Sequence, residues 1–449
     1  MENSSSFYGE EKISRILLRL APPVMLAQLI QALYNIVDSL FVGRYSENGL
    51  TALSIIYPMQ LLMIALAVGS GVGINTDIAY HLGIKKLKRA DETAGVGTPL
   101  ALALWAAFAV ISYFIMPFYA EMSTSSPEII QEIIVYGRIV CVFSTGLFLE
   151  SIWSKVLQAN GDMKTPMFAQ IAGAVTNILL DPILIFGLFG IKEMGIAGAA
   201  VATVAGQFVA AAIVMRGGYR KPPYFREFPF FLKRIYLLGT PNILMQSAYT
   251  FYILGLNLIL AGFSDQAVTA LGLYYKWQTF FFIPLGALQT CIVPVISFNY
   301  AANRIDRCKK TLSESVIMGM CLMFLGTLCF EVIPAQMLAV FSRDAEVIRI
   351  GTTGLRIIGI SFLPMVTSLI FPVFFQALGQ ALKSSLLTIV RTVVLFVPLG
   401  FLFSRLGLSY FWLAFPVTEI LTSMLGVYFY TRGCAKKCLR MRRKERIDN

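Results

Sequence analysis

Long apolar stretches, each closed by a short polar or Gly/Pro cluster, follow one another along the whole chain. At about 20 apolar residues per helical crossing of a bilayer, they predict spans near 16–43, 51–81, 93–118, 129–157, 165–188 and 194–215. The basic segment RGGYRKPPYFREFPFFLKR separates these from a second set near 235–262, 269–300, 311–334, 346–377, 384–404 and 409–431. The expected fold class is therefore an all-α integral membrane protein with twelve transmembrane helices in two pseudo-symmetric six-helix bundles. Its expected parts are an N-terminal bundle (1–215), a cytoplasmic basic connector (216–234), a C-terminal bundle (235–431) and a basic cytoplasmic tail (432–449).

Composition agrees with the pattern. Of the 449 residues, 57% are hydrophobic and 14% charged, against about 25% charged in soluble domains. A water-soluble globule is excluded, and the spans leave no room for a sizeable soluble catalytic domain, so the chain is not expected to be an enzyme. The net charge of +12 raises nucleic acid as a partner until the charges are placed. With both termini cytoplasmic, 27 of the 37 Lys and Arg fall on the inner side, and the outer loops hold only Arg44, Lys192, Arg343 and Arg405. The positive-inside rule fixes that orientation. The excess charge then reads as topology and contact with lipid headgroups, with no nucleic-acid partner expected. The seven cysteines and the single histidine, His81, show no CxxC and no metal spacing. Cys434 and Cys438 read as reduced thiols in the tail. A polar N-terminus followed by a full-length span gives no expectation of a cleaved signal peptide.

Shifting the sequence by 218 positions superimposes it on itself. Pro23 meets Pro241, Gln28 meets Gln246, Tyr34 meets Tyr252, Thr51-Ala52-Leu53 meets Thr269-Ala270-Leu271, Arg138 meets Arg356 and Gly161 meets Gly379. Two like-oriented halves imply a pseudo-twofold along the membrane normal, the plan of a secondary transporter. The sequence has no selectivity-filter loop, no Arg-rich voltage sensor and no Gly-rich phosphate cradle, so any work is expected to be driven by an ion gradient.

An ionisable group inside a span costs at least about 2.5 to 3.5 kcal/mol, so each needs a partner or a role. Asp38 lies five residues before Gly43 and Asp181 six before Gly187. At 1.5 Å per residue both sit roughly 8 to 9 Å from the outer end. Asn177 is one turn from Asp181 on the same face, and Thr203 reaches a similar region from the outer side. These oxygens suit Na⁺, or a carboxylate pair that shares a proton. The repeat puts Leu256 and Leu399 where the first half has Asp38 and Asp181, so the architecture alone does not require the acids. Arg391 and Glu419, each mid-span in the last two helices, read as a structural ion pair or as a second proton or substrate site. Lys276 in the eighth span is read as snorkelling or as lining a substrate cleft. Asp77, Glu150 and Glu331 lie nearer span ends and read as solvated or cleft-lining.

Four segments carry a resemblance: QALYNIVDSLFVGRYSENGLTALSIIYP, LQANGDMKTPM, NILLDPILIFG and GIAGAAVATV. Through them the chain resembles the multidrug and toxic compound extrusion (MATE) transporters over essentially its whole length. The resemblance implies a V-shaped, two-bundle antiporter that exports amphipathic, cationic organic compounds in exchange for Na⁺ or H⁺. It carries the family's cation site onto Asp38, Asn177, Asp181 and Thr203. Two departures stand out. GINTDIAYHLGIKK brings Asp77 and His81 to the inner end of the second span, and the second half lacks acids in its seventh and tenth spans. Small organic molecules and membrane lipids are the expected partners, the inner (plasma) membrane the expected location, and a monomer the expected state, with no cofactor beyond the coupling ion. The rival reading is a flippase for lipid-linked oligosaccharides or lipid precursors. It would want a basic cleft, which only Lys276 and Arg391 are placed to supply.

Overall fold

The computed structural model describes residues 7–445, with side-chain surroundings for 7–432. Cys434, Cys438 and the rest of the basic tail lie outside the described side chains. Among the described residues the regular structure is helical. The first half comprises α1 (Ile13–Tyr45), α2 (Glu47–Gly83), α3 (Leu87–Ser123), α4 (Pro127–Val142), α5 (Thr145–Ala159), α6 (Lys164–Phe186) and α7 (Ile196–Gly218). The second comprises α8 (Phe228–Ala261), α9 (Asp265–Ala301), α10 (Ile305–Val332), the short α11 (Pro334–Ala339), α12 (Ala345–Ile360), α13 (Phe362–Ala377), α14 (Ala381–Ile389), α15 (Val397–Ser404), the short α16 (Leu408–Phe411) and α17 (Ala414–Glu445). Among the described residues ten helices are long and apolar enough to cross a membrane, and the count reaches twelve when two bent pairs are each taken as one span.

Those bends mark where the sequence reading was too simple. The span expected over 129–157 is α4 and α5, bent by 42°, and the one over 346–377 is α12 and α13, bent by 55°. The breaks fall at Phe143-Ser144 and at Ser361, which the 218-residue shift superimposes. At each, a serine hydroxyl donates to a backbone carbonyl three residues earlier, Ser144 to Cys141 at 2.7 Å and Ser361 to Ile358 at 2.6 Å. A hydroxyl that bonds the preceding turn competes with the helical ladder and bends it. The loops repeat as well. Lys85 and Asn303 both take left-handed φ, 58° and 57°, and Gly161 and Gly379 do so at 86° and 74°. Glycine is the residue that adopts such a φ without steric cost, so the matched glycines in the sequence mark matched turns in the fold.

By spatial contact the chain forms two compact units, which cut across the sequence halves. Unit 1 holds Met1–Ser247, Gly286–Thr311 and Ala377–Gly379, and unit 2 holds Ala248–Leu285, Leu312–Gln376 and Gln380–Asn449. Unit 1 thus combines the first half with one end each of α8, α9 and α10 and the turn Ala377–Gly379. In unit 2 an aromatic core links Tyr252, Phe396, Phe415 and Tyr274, with Tyr252 stacked on Phe396 at 4.8 Å between ring centroids.

Candidate cation site

Helices α1, α6 and α7 pack together in unit 1. The α6–α7 contact is backbone to backbone. A Cβ on Gly206 would stand 2.5 Å from the Gly173 carbonyl oxygen, and one on Gly173 would stand 2.7 Å from the Gly206 carbonyl oxygen. Only hydrogen fits there, and small residues at helix contacts let two axes approach closely. The approach lets Asn177 Nδ2 on α6 donate to Thr203 Oγ1 on α7 at 3.4 Å. The same amide reaches Asp181 Oδ1, one turn along its own helix, at 3.3 Å.

Asp38 of α1 completes the cluster, its carboxyl group close enough to interact with that of Asp181. Two carboxylates offer only acceptors, so a hydrogen bond between these acids would require a proton on one of them. Asp38, Asn177 and Asp181 are buried, Asp181 completely, and Thr203 is half-buried. Three oxygens remain enclosed without a hydrogen-bond partner: Asp38 Oδ1, Asp181 Oδ2 and Asn177 Oδ1. All three are acceptors. Buried acceptors normally find a donor, and oxygens converging from three helices with no donor supplied form a set that a proton or a hard cation satisfies. Among the described residues no three His, Cys, Asp or Glu side chains converge, so the set is two carboxylates, an amide and a hydroxyl.

The four residues singled out by depth and by resemblance are therefore brought together. Several others were missed. Tyr34, one turn before Asp38 on α1, lies within electrostatic reach of both carboxylates. Tyr136 of α4 lies within interaction distance of Thr203, and its hydroxyl accepts from Gln60 Nε2 at 3.4 Å. Tyr34 and Gln60 had a signal in the sequence, since both are matched across the repeat, by Tyr252 and Gln278. Tyr136 had none. At the equivalent place in the second half, Leu256 is fully buried.

The other intramembrane charges sort differently. Arg391 and Glu419 meet in unit 2: Nη2 reaches Oε1 at 2.6 Å, and Nε lies 3.1 Å from each carboxylate oxygen. Ser368 Oγ also donates to Glu419. Arg391 stands on a π-helical segment, Val390–Phe396, an irregularity frequent at functional sites. Lys276 does not join the pair: it is exposed, with its ammonium over the Phe341 ring 5.0 Å from the centroid. Glu150 and Glu331 are half-buried, and Glu150 accepts from Ser154 Oγ at 2.7 Å. Asp77 departs from the expectation of a solvated or cleft-lining acid. It is fully buried, and Arg234 reaches it from a position 157 residues away. Its surroundings depend on a helix that the local sequence around Asp77 does not reveal.

A family model described as MatE matches residues 23–183 and 241–402. The two matches begin at positions that the 218-residue shift superimposes. The chain is 25% identical over 440 residues to an FAD transporter of Shewanella oneidensis, covering 94% of this chain and 95% of that protein. It is 26% identical over 433 residues to a probable multidrug resistance protein, YoeA, of Bacillus subtilis, covering 92% of each. Among solved structures it resembles a crystal structure of MATE in complex with MaL6, with a TM-score of 0.89 at 22% identity over 97% of this chain and 99% of that one.

Proposed function

The chain belongs to the MATE family, and from that premise we propose that it is a secondary active antiporter exporting amphipathic, cationic organic compounds in exchange for Na⁺ or H⁺. The observation that carries the coupling step is the enclosed oxygen set of Asp38, Asn177, Asp181 and Thr203, with three acceptor oxygens unpartnered. A proton held between Asp38 and Asp181 and a Na⁺ liganded by the same oxygens would exclude one another, because each uses the carboxylate lone pairs. Exchange requires that the ion favour one conformation and the organic substrate the other. Asp38 and Asp181 sit on different helices, α1 and α6, so filling the site draws α1 toward α6 and supplies that differential affinity. One monovalent cation moving down about 100 mV contributes roughly 2.3 kcal/mol, and a proton adds about 1.36 kcal/mol per pH unit. Gradients of some hundredfold are reachable on that scale. The protein works as a monomer in the inner membrane with both termini in the cytoplasm, in keeping with the inward bias of Lys and Arg.

The flippase alternative is weaker than composition suggests. Arg391 spends its guanidinium on Glu419, which leaves, of the two, only the exposed Lys276 over the Phe341 ring to meet a pyrophosphate. The relative described as an FAD transporter makes a flavin dinucleotide the useful anionic control. Purified protein in liposomes is to be assayed with Na⁺ and pH gradients imposed separately, against a panel of organic cations and the flavin dinucleotide. Efflux of cations driven by at least one gradient, and lost in Asp38→Asn and Asp181→Asn, is the expected result. Transport of the panel at an unchanged rate with both gradients collapsed, or wild-type gradient dependence in both variants, overturns the proposal.

A further inference from the structure

The ends of the helices on the predicted cytoplasmic side hold polar groups that the coupling site does not use, all within unit 1. Asp77 of α2 is met by Arg234 Nε at 2.5 Å, by Thr93 Oγ1 at 2.8 Å and by His81 Nδ1 at 3.3 Å. Arg234 belongs to α8, the first helix of the second half, and its guanidinium also lies over Tyr80, 4.9 Å from the ring centroid. Nearby, Arg89 of α3 donates to Glu227 at 2.8 Å and packs over Phe230 and Phe231. The α2–α3 hairpin of the first half thus clasps the start of the second half.

The 218-residue shift carries Arg89 onto Arg307, His81 onto Asn299 and Glu227 onto Gly9. The counterparts make the reciprocal clasp. Arg307 Nη2 donates to the Tyr8 carbonyl at 2.9 Å and the Glu11 carbonyl at 2.7 Å, and Asn299 Nδ2 donates to the Tyr8 carbonyl at 3.1 Å. Arg304 Nη1 donates to the Gly9 carbonyl at 2.5 Å. Here the α9–α10 hairpin of the second half holds the start of the first. The two clasps are crossed between the halves and differ in chemistry. The second uses main-chain carbonyls, and positions 77 and 234 are matched by Val295 and Ile16, so only the first sets a buried acid, Asp77, against a half-buried arginine, Arg234. Behind it α2 and α8 touch at Gly73, where a side chain would overlap the Ile235 carbonyl.

We propose that these crossed clasps are the inner gate of the transport cycle. They are closed in this structure, both must release before a substrate loads from the cytoplasm, and Asp77 and Arg234 are positioning residues that set how readily this happens. The inference rests on the antiporter reading and on the predicted orientation. An antiporter must expose its site alternately to the two sides, and contacts joining the two halves on one side are those that such a motion breaks. Losing Arg234 leaves the buried Asp77 carboxylate without its guanidinium, and losing the Asp77 charge releases the half-buried Arg234 toward water, so neutralising either residue favours the open arrangement.

The test reads opening without transport. Ser70 is fully buried on α2, deeper than Asp77, and Ser70→Cys reports access. Its reaction with an impermeant maleimide is measured in inside-out vesicles by peptide mass spectrometry, with the native cysteines retained. Asp77→Asn, Arg234→Gln and Arg307→Gln are each expected to speed labelling by at least about tenfold, and Asp77→Asn with Arg234→Gln by no more than the larger single effect. Glu346→Gln, which breaks an exposed pair with Arg349 elsewhere, should leave the rate unchanged. In a second arm, cysteines at positions 89 and 227 are bridged by a short, reducible bis-thiosulfonate, which should stop substrate cycling until the bridge is reduced. Unaltered labelling in variants that remain monodisperse, or cycling at the full rate through the bridged protein, overturns the gate. A protein that shows clasp-sensitive labelling but no ion-driven efflux of any compound would instead sink the antiporter reading while leaving the gate in place.

Discussion

Removing one side of the Arg391–Glu419 pair has a size and a signature that the geometry fixes. Both groups are buried, with Arg391 6% exposed and Glu419 not at all, so neither can turn to water when its partner is lost. Arg391 presents both Nε and Nη2 to the carboxylate, and Ser368 adds a third donor. Arg391→Met therefore strands a buried carboxylate with a single hydroxyl donor, and Glu419→Met strands a guanidinium. Breaking a buried pair from one side costs about 3–5 kcal/mol, whereas replacing both members by apolar groups of similar volume is often neutral. For a cooperative unit of about 150–250 residues, that corresponds to a fall of roughly 6–20 °C in Tm for either single variant. Arg391→Met combined with Glu419→Met should recover most of it. Thermal unfolding of the detergent-purified wild type, the two single variants and the double variant forms a cycle whose coupling is expected to exceed about 2 kcal/mol. Effects that add to within about 0.5 kcal/mol would refute the pairing as an energetic unit. A double variant that folds but loses ion-driven efflux would refute the view that the pair is structural.

Other outcomes are as definite. Single cysteines placed within 85–89 or 216–234 should resist impermeant thiol reagents added to intact cells and react in inside-out vesicles; labelling from outside would reverse the orientation. Asp38→Asn should abolish gradient-driven efflux while substrate binding, followed by fluorescence quenching, survives, and Leu256→Met at the matched position should keep at least about half of the wild-type rate. Gly206→Val puts a branched side chain against the Gly173 carbonyl, so it should part Thr203 from Asn177, cost about 1–3 kcal/mol and weaken ion-dependent protection in thermal unfolding; unchanged ion dependence would show that Thr203 is not a ligand.

Much of this architecture was written in the chain. The apolar stretches marked the spans because a bilayer core admits only backbone that satisfies its own hydrogen bonds, which makes span length a local property. The 218-residue register made the two halves visible, and comparing them set Asp38 and Asp181 against Leu256 and Leu399 before any contact was known. Helical rise alone put both acids at one depth. Other features depended on packing. The bends at Ser144 and Ser361 follow from a hydroxyl choosing a carbonyl of its own helix over other partners, and sequence does not say which choice is made. The π-helical turn at Arg391 sits in an apolar run whose composition reads as ordinary helix. Tyr136 looked like any buried aromatic until α4 brought it to Thr203. Asp77 looked solvated because its residues to either side describe only α2, while its burial is decided by Arg234, 157 residues away on α8. Lipid-facing and bundle-facing sides of a membrane helix are both apolar, so periodicity that locates a core in a soluble protein does not say which neighbour a membrane helix will meet; only the packed structure assigns the partners of its buried charges.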